Sequence, residues 1–258
     1  MNNLRVTVIQ SGIVWHSIED NLRHFGKLIS SIESDTDILF LPEMFSTGFT
    51  MKPRDLAEDM NGRTVSAMSE WASRLNAFIA GGIIVSADGR FFNRIVITDP
   101  DGGAIYYDKK HLFRMSGEDG VYEPGRANIT TRIRGWRVRP FICYDLRFPV
   151  WTRNIGNEYD VAFFAANWPS ERLHHWETLL RARAIENQCY VVGVNRTGED
   201  GNGVRYPGGT SIVDYSGNVM FSAGSGNCIH TDELSFMKLE EYRRGFPAWM
   251  DADHFNLL

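Results

Sequence analysis

The sequence predicts an α/β sandwich on three observations. β-Branched apolar runs recur along the chain, segments with apolar residues at helical spacing fall between the early runs, and hairpin turns join the later ones. Leu4, Val6 and Val8 alternate with Arg5, Thr7 and Ile9, which predicts a largely buried strand over residues 4–10. A helix follows, because Leu22, Phe25, Leu28, Ile29 and Ile32 share one face and Ser17-Ile18-Glu19-Asp20 has the form of a capping box. Residues 37–41 make a short apolar strand that stops at Pro42, which cannot donate to a ladder. Glu43 therefore sits just past a strand end.

Val65, Met68, Ala72 and Leu75 mark a second helix, and residues 78–85 and 91–98 read as strands turned at Asp88-Gly89. After the turn Pro100-Asp101-Gly102-Gly103 a strand over 104–107 places Lys109 past another strand end, and residues 113–125 form a loop rich in glycine and charge. A strand over 138–142 delivers Cys143, although Pro140 points to an edge or a bulge. A short helix is expected near 150–154, then a strand over 161–166, a helix over 175–188, a strand over 190–195 and a hairpin at Asp214-Tyr215-Ser216-Gly217.

No Pro/Ser-rich or charge-dense stretch divides the 258 residues, so residues 1–258 are read as one domain. At 43% hydrophobic and 12% aromatic residues the chain has apolar surface for a large core. A net charge of −5 with both signs interspersed leaves no basic stripe for nucleic acid or an anionic membrane, and small-molecule partners are expected. No apolar run nears the roughly 20 residues of a membrane span, and Met1-Asn2-Asn3-Leu4-Arg5 leads straight into a strand, so the expected location is the cytoplasm. Cys143, Cys189 and Cys228 show no metal-ligand spacing; neither a metal nor a cofactor is expected, and Cys189 and Cys228 read as small buried hydrophobes.

The segments Leu41-Pro42-Glu43, Tyr107-Asp108-Lys109-Lys110-His111-Leu112-Phe113 and Cys143-Tyr144-Asp145-Leu146-Arg147-Phe148-Pro149 bring a carboxylate, an ammonium and a thiol to three strand ends. Those are sufficient parts for acyl transfer through a thioester. With Ala166-Asn167-Trp168-Pro169 and Arg181-Ala182-Arg183-Ala184-Ile185-Glu186-Asn187-Gln188, they make nearly the whole chain resemble the nitrilase superfamily of carbon–nitrogen hydrolases. The resemblance implies a four-layer α-β-β-α sandwich, a Glu-Lys-Cys triad and a homodimer. Cys143 would be the nucleophile, Glu43 the general base, and Lys109 with the backbone N–H of Tyr144 the oxyanion donors. A free thiol is mostly protonated at neutral pH, so a base and a cation beside it agree with the resemblance.

The family pattern selects Lys109, two residues before the histidine, over Lys110. A second glutamate belongs in the following loop, where the spacing favours Glu118 over Glu123. His111 offers a rival Cys–His pair but reads better as a residue that orders the loop, and Asp145 and Arg147 read as local ion-pair or backbone-holding groups. His174-His175 reads as helix N-terminal hydrogen bonding. Leu112-Phe113-Arg114-Met115, His174-His175-Trp176-Glu177-Thr178-Leu179-Leu180 and Val194-Asn195-Arg196-Thr197-Gly198-Glu199-Asp200-Gly201 are similar to the bacterial omega-amidases. That similarity implies hydrolysis of the terminal amide of 2-oxoglutaramate or 2-oxosuccinamate. Such a substrate needs a cation or a cluster of N–H groups for its remote carboxylate, for which Arg114 and Arg172 are candidates, with Phe45, Phe113 and Trp168 as pocket walls. The tail 246–258, with Trp249, Met250 and Phe255, is expected at a subunit interface. The alternatives are a nitrilase or N-carbamoyl amidohydrolase with the same triad, and a scaffold member without chemistry.

Overall fold

The computed structural model describes residues 2–253 and 255. The first half runs β1 (Leu4–Gln10), α1 (Ile18–Ser30), β2 (Ile38–Phe40), α2 (Arg63–Leu75), β3 (Phe78–Ala87), β4 (Arg90–Thr98) and β5 (Ala104–Asp108). The second runs β6 (Thr131–Ile133), β7 (Trp136–Ile142), β8 (Val161–Ala166), α3 (Leu173–Asn187), β9 (Tyr190–Asn195), β10 (Thr197–Glu199), β11 (Arg205–Pro207), β12 (Ser211–Val213), β13 (Val219–Ser222), β14 (Cys228–Leu234) and α4 (Phe236–Gly245). One six-stranded sheet has the order β14-β1-β2-β3-β4-β5 and the other β13-β12-β9-β8-β7-β6, while β10 and β11 form a separate hairpin.

Each sheet is built on three parallel strands, β1, β2 and β3 in the first and β7, β8 and β9 in the second. Alternation along the strands sorts their side chains into two cores. Val6, Val8, Ile38 and Phe40 enter the core shared with Phe141, Phe163 and Val192 of the second sheet, where the Phe40 and Phe163 rings lie 4.3 Å apart. Leu39, Leu41 and Ile79 face the other way, onto Phe25 and Ile29 of α1 and Met68 and Ala72 of α2. On the far side α3 contributes Trp176, Leu180 and Ala184 and α4 contributes Leu239, which completes the α-β-β-α order. Among the described residues no helix is long and apolar enough to cross a membrane.

Three expectations need correction or refinement. Residues 150–154 form no helix: turns precede a 3-10 turn at Ile155–Asn157, with Gly156 in the left-handed region, and the Asn154 side chain ties down the backbone of Tyr159 and Asn187 instead. Pro140 lies inside a sheet, but β6 pairs with β7 only as far as Val138, so the strand is locally an edge where the proline has no N–H to give. At the tail, Gln188 holds the backbone of Phe246 and Trp249. His254 and residues 256–258, part of the expected interface segment, lie outside the described residues.

Candidate active site

The carboxyl ends of parallel strands in both sheets open at one edge of the sandwich, where α/β folds commonly bind ligands. Glu43 leaves β2 on a loop stitched to β3, through Leu41 N–H to Ala80 O (2.8 Å), Gly82 N–H to Pro42 O (3.1 Å) and Phe45 N–H to Gly82 O (3.0 Å). A Cβ at Gly82 would lie 2.6 Å from Glu43 Cα, so only glycine lets the strand pass this close. Lys109 follows β5 and donates its backbone N–H to Asn93 O on β4 (2.9 Å). Asn167 follows β8, and Cys143 follows β7.

The side chains of Glu43, Lys109 and Glu118 are at most 1% exposed. Lys109 Nζ lies 3.0 Å from Glu43 Oε1 and 2.9 Å from Glu118 Oε2. Asn93 Nδ2 bridges the two carboxylates, donating to Glu43 Oε1 at 2.7 Å and Glu118 Oε1 at 2.8 Å. The remaining oxygens are met by backbone N–H groups, Asn167 to Glu43 Oε2 (2.8 Å) and Phe113 to Glu118 Oε2 (2.6 Å). Burial works against the Lys109 ammonium, but Glu118 and Glu43 prevail and hold its pKa above the ordinary lysine value. Burial also raises the Glu118 carboxyl, against the pull of Lys109 and with the push of Glu43.

Cys143 takes a left-handed backbone conformation (φ 41°), costly for a residue with a side chain, at the start of a 3-10 turn over Cys143–Arg147. Asp145 holds that conformation: Oδ2 accepts from Ile142 N–H (3.0 Å) and Tyr107 Oη (2.8 Å), and Oδ1 from His111 N–H (3.0 Å). The His111 ring is committed to the same carboxylate (Nδ1 to Oδ1, 2.8 Å) and stacks 3.7 Å from the Phe148 ring. The thiol contacts Asn167 O at 3.9 Å. Burial, followed by Glu43, pushes its pKa well up, and the opposing Lys109 charge does not reverse this. Tyr144 lies in the opening of the 3-10 turn, where N–H groups lack acceptors within the turn.

Glu43, Lys109, Cys143 and Asn167 line one cavity of about 510 Å³. Phe113, Trp168, Tyr144 and Arg172 border it. Phe45 does not: it is turned into the core of the first sheet and its helices, 5.3 Å from the Phe25 ring. Arg114 does not either, being 86% exposed and paired with Asp119 at 3.2 Å. Glu123 faces Arg90 at the surface, 3.8 Å away, and the Lys110 ammonium lies over Trp151. Arg147 reaches the cavity instead of forming a local ion pair; it stacks over Trp168 at 4.9 Å and meets His175 Nδ1 at 3.0 Å. Asn93 went unread in the sequence, and Asn167, quoted only within Ala166-Asn167-Trp168-Pro169, was given no role although it stands at a strand end as the other site residues do. Trp15, His16, Phe49 and Lys52 come from loops, and Tyr206 from β11, whose residues carry no chemical signal in the sequence.

The profile of the Carbon-nitrogen hydrolase family matches residues 5–244. The chain is 44% identical to Omega-amidase YafV of Escherichia coli K12, covering all of both proteins. It is 30% identical to 2-oxoglutaramate amidase of Bacillus subtilis, over 95% of this chain and 96% of that one. A CN-hydrolase superfamily protein from Xanthomonas campestris, solved with an arsenic adduct in its active site, superposes with a TM-score of 0.98 at 40% identity, with both chains fully covered. The chain belongs to the carbon–nitrogen hydrolase family, and it is an amidohydrolase.

Proposed function

We propose that the protein is an omega-amidase that hydrolyses the terminal amide of 2-oxoglutaramate or 2-oxosuccinamate, releasing ammonia and a 2-oxo dicarboxylic acid. The observation that carries this reading is a sealed cluster of one ammonium and two carboxylates beside a thiol, beneath a cavity reached by two loosely committed arginines. Arg147 has no carboxylate partner among the described residues, and Arg172 has only Glu171 at 3.7 Å. Two such cations suit a substrate that keeps a free carboxylate remote from its amide. The names borne by the relatives from Escherichia coli and Bacillus subtilis support the same substrate class.

In this mechanism Cys143 Sγ attacks the amide carbon while Glu43 takes the thiol proton. The tetrahedral oxyanion is met by Lys109 Nζ and Tyr144 N–H. Glu43 returns the proton to the nitrogen, the C–N bond breaks, and ammonia leaves a thioester on Cys143. Water, deprotonated by Glu43, then attacks the thioester and restores the thiol. Glu118 and Asn93 hold Lys109 and Glu43 in place. Because the thiol pKa is raised, proton transfer accompanies attack and no standing thiolate is required.

A substrate panel read by ammonia release tests the reading. The 2-oxo acid monoamides should exceed simple aliphatic amides of equal length by far in kcat/KM, with succinate and glutarate monoamides between them and nitriles inert. The Cys143→Ala variant should release no ammonia. Better turnover of acetamide-like amides, N-carbamoyl compounds or nitriles would overturn the substrate and leave the triad chemistry standing. The exposed apolar residues Val150, Ile185, Phe246 and Met250 favour a homodimer, for which light scattering should read twice the 29.4 kDa chain mass.

A further inference from the structure

Behind the cavity, Arg196 is only 1% exposed and has no carboxylate within ion-pairing reach among the described residues. Nε and Nη2 donate to main-chain carbonyls, Nε to Thr197 O (3.1 Å) and Nη2 to Ile13 O (3.1 Å) and Glu199 O (3.3 Å), while the buried Nη1 has no partner among the described residues. Its guanidinium carbon lies 4.6 Å from the centre of the Tyr206 ring, which borders the cavity. A Cβ at Gly48 would come within 3.6 Å of Nη1 and 2.9 Å of the Trp15 ring, so the Gly48 loop passes over both. Arg196 thus touches or braces three of the segments that line the cavity, those carrying Trp15 and His16, Phe49 to Lys52, and Asp200 to Tyr206.

Carbonyls and an aromatic face would satisfy a neutral donor as well, whereas a buried cation without an ion pair carries a desolvation cost that calls for a return. The nearest anion on the wall is Asp200, and its oxygens are engaged by Tyr206 Oη (2.9 Å) and by Asn202 N–H and Val204 N–H (2.8 and 3.0 Å). Resting on the omega-amidase reading above, we propose that Arg196 is a specificity-determining positioning residue, whose buried charge offsets Asp200 at the Tyr206 wall and so favours anionic over neutral acyl chains. It touches no reacting atom. One unit charge about 10 Å from the substrate, through an effective dielectric near 20, changes the preference by roughly tenfold.

The measurement is the ratio of kcat/KM for glutarate monoamide to that for valeramide, neutral and of matched length. The wild-type ratio tests the omega-amidase reading; its change on mutation tests Arg196. In Arg196→Met the ratio should fall roughly tenfold, with the loss in KM and with kcat for the anionic amide kept within a few-fold. Arg196→Lys should restore most of the ratio, because it restores the charge if not the fork. Asp200→Asn, which keeps the turn acceptor and deletes the opposing charge, should raise the ratio, and it needs no change at the buried arginine. A purely structural Arg196 would lower both substrates together in Arg196→Met and Arg196→Lys alike. That result, or an unchanged ratio in Asp200→Asn, overturns the proposal.

Discussion

At the floor of the cavity each carboxylate oxygen of Glu43 and Glu118 has a donor at 2.9 Å or closer, whereas on the wall Arg147 and Lys52 have no carboxylate partner among the described residues. The floor is assembled from strand ends of both sheets and its charges are spent on one another. The wall comes from loops and one hairpin, and its charges face the cavity. Buried groups fixed in this way act on the reacting atoms, and uncommitted groups act on whatever enters. Substitutions at the floor should therefore appear in kcat and those on the wall in KM.

Lys109→Met should break the floor hardest among the changes that leave the nucleophile. Loss of an oxyanion donor costs about 10²–10³ in kcat. Two buried carboxylates would also lose their shared cation, a change that destabilises by about 3–5 kcal/mol when a buried pair is broken. Steady-state kinetics and urea unfolding would read the two effects. Lys110→Met, at the surface over Trp151, should do little to either. Should His111→Ala prove more damaging than Lys109→Met, a Cys–His mechanism would replace the triad, although His111 is held by Asp145 and Phe148.

Floor and wall also differed in how far the sequence exposed them. Glu43, Lys109 and Cys143 each follow a strand that its own pattern of apolar residues announces, so their convergence was legible from strand ends plus family spacing. Glu118 was legible by its spacing from Lys109. Phe45 was misread because the left-handed turn at Met44 (φ 45°) sends the next side chain back into the core, and no pattern in the sequence marks that turn. Arg114 and Arg147 were exchanged for a similar reason: the 3-10 turn after Cys143 carries Arg147 to the cavity, while Arg114 begins a turn that faces solvent. Strand β14 and helix α4 went unseen, one an edge strand rich in polar residues and the other short and heavily charged. Their burial is decided by tertiary partners that local periodicity does not report.

The wall is sharpened by Arg147→Gln, which keeps a polar side chain and removes the cation. KM for 2-oxoglutaramate should rise roughly tenfold to a hundredfold, the range for losing one partner of a close charge pair, while kcat stays within a few-fold. A neutral amide of equal length should be nearly indifferent. Should kcat collapse instead while KM holds, Arg147 acts on the reacting atoms through its place four residues after Cys143, and the division between floor and wall fails there.

The gentlest test changes no residue and asks whether the floor stores a thiolate. An ammonium beside a thiol suggests a standing ion pair, but at Cys143 burial and Glu43 outweigh Lys109 and the pKa is raised. A thiol with a raised pKa gains thiolate tenfold with each pH unit until that pKa is passed. Alkylation of Cys143 by iodoacetamide should therefore climb with pH and show no plateau below about pH 9, where an ordinary free thiol levels off. Peptide mass spectrometry separates this from Cys189, which is sealed in the core with its pKa pushed up to about 12, and from partly buried Cys228. A plateau at neutral pH would mean that Lys109 holds a preformed thiolate. Glu43 would then serve to protonate the leaving ammonia and not to generate the nucleophile.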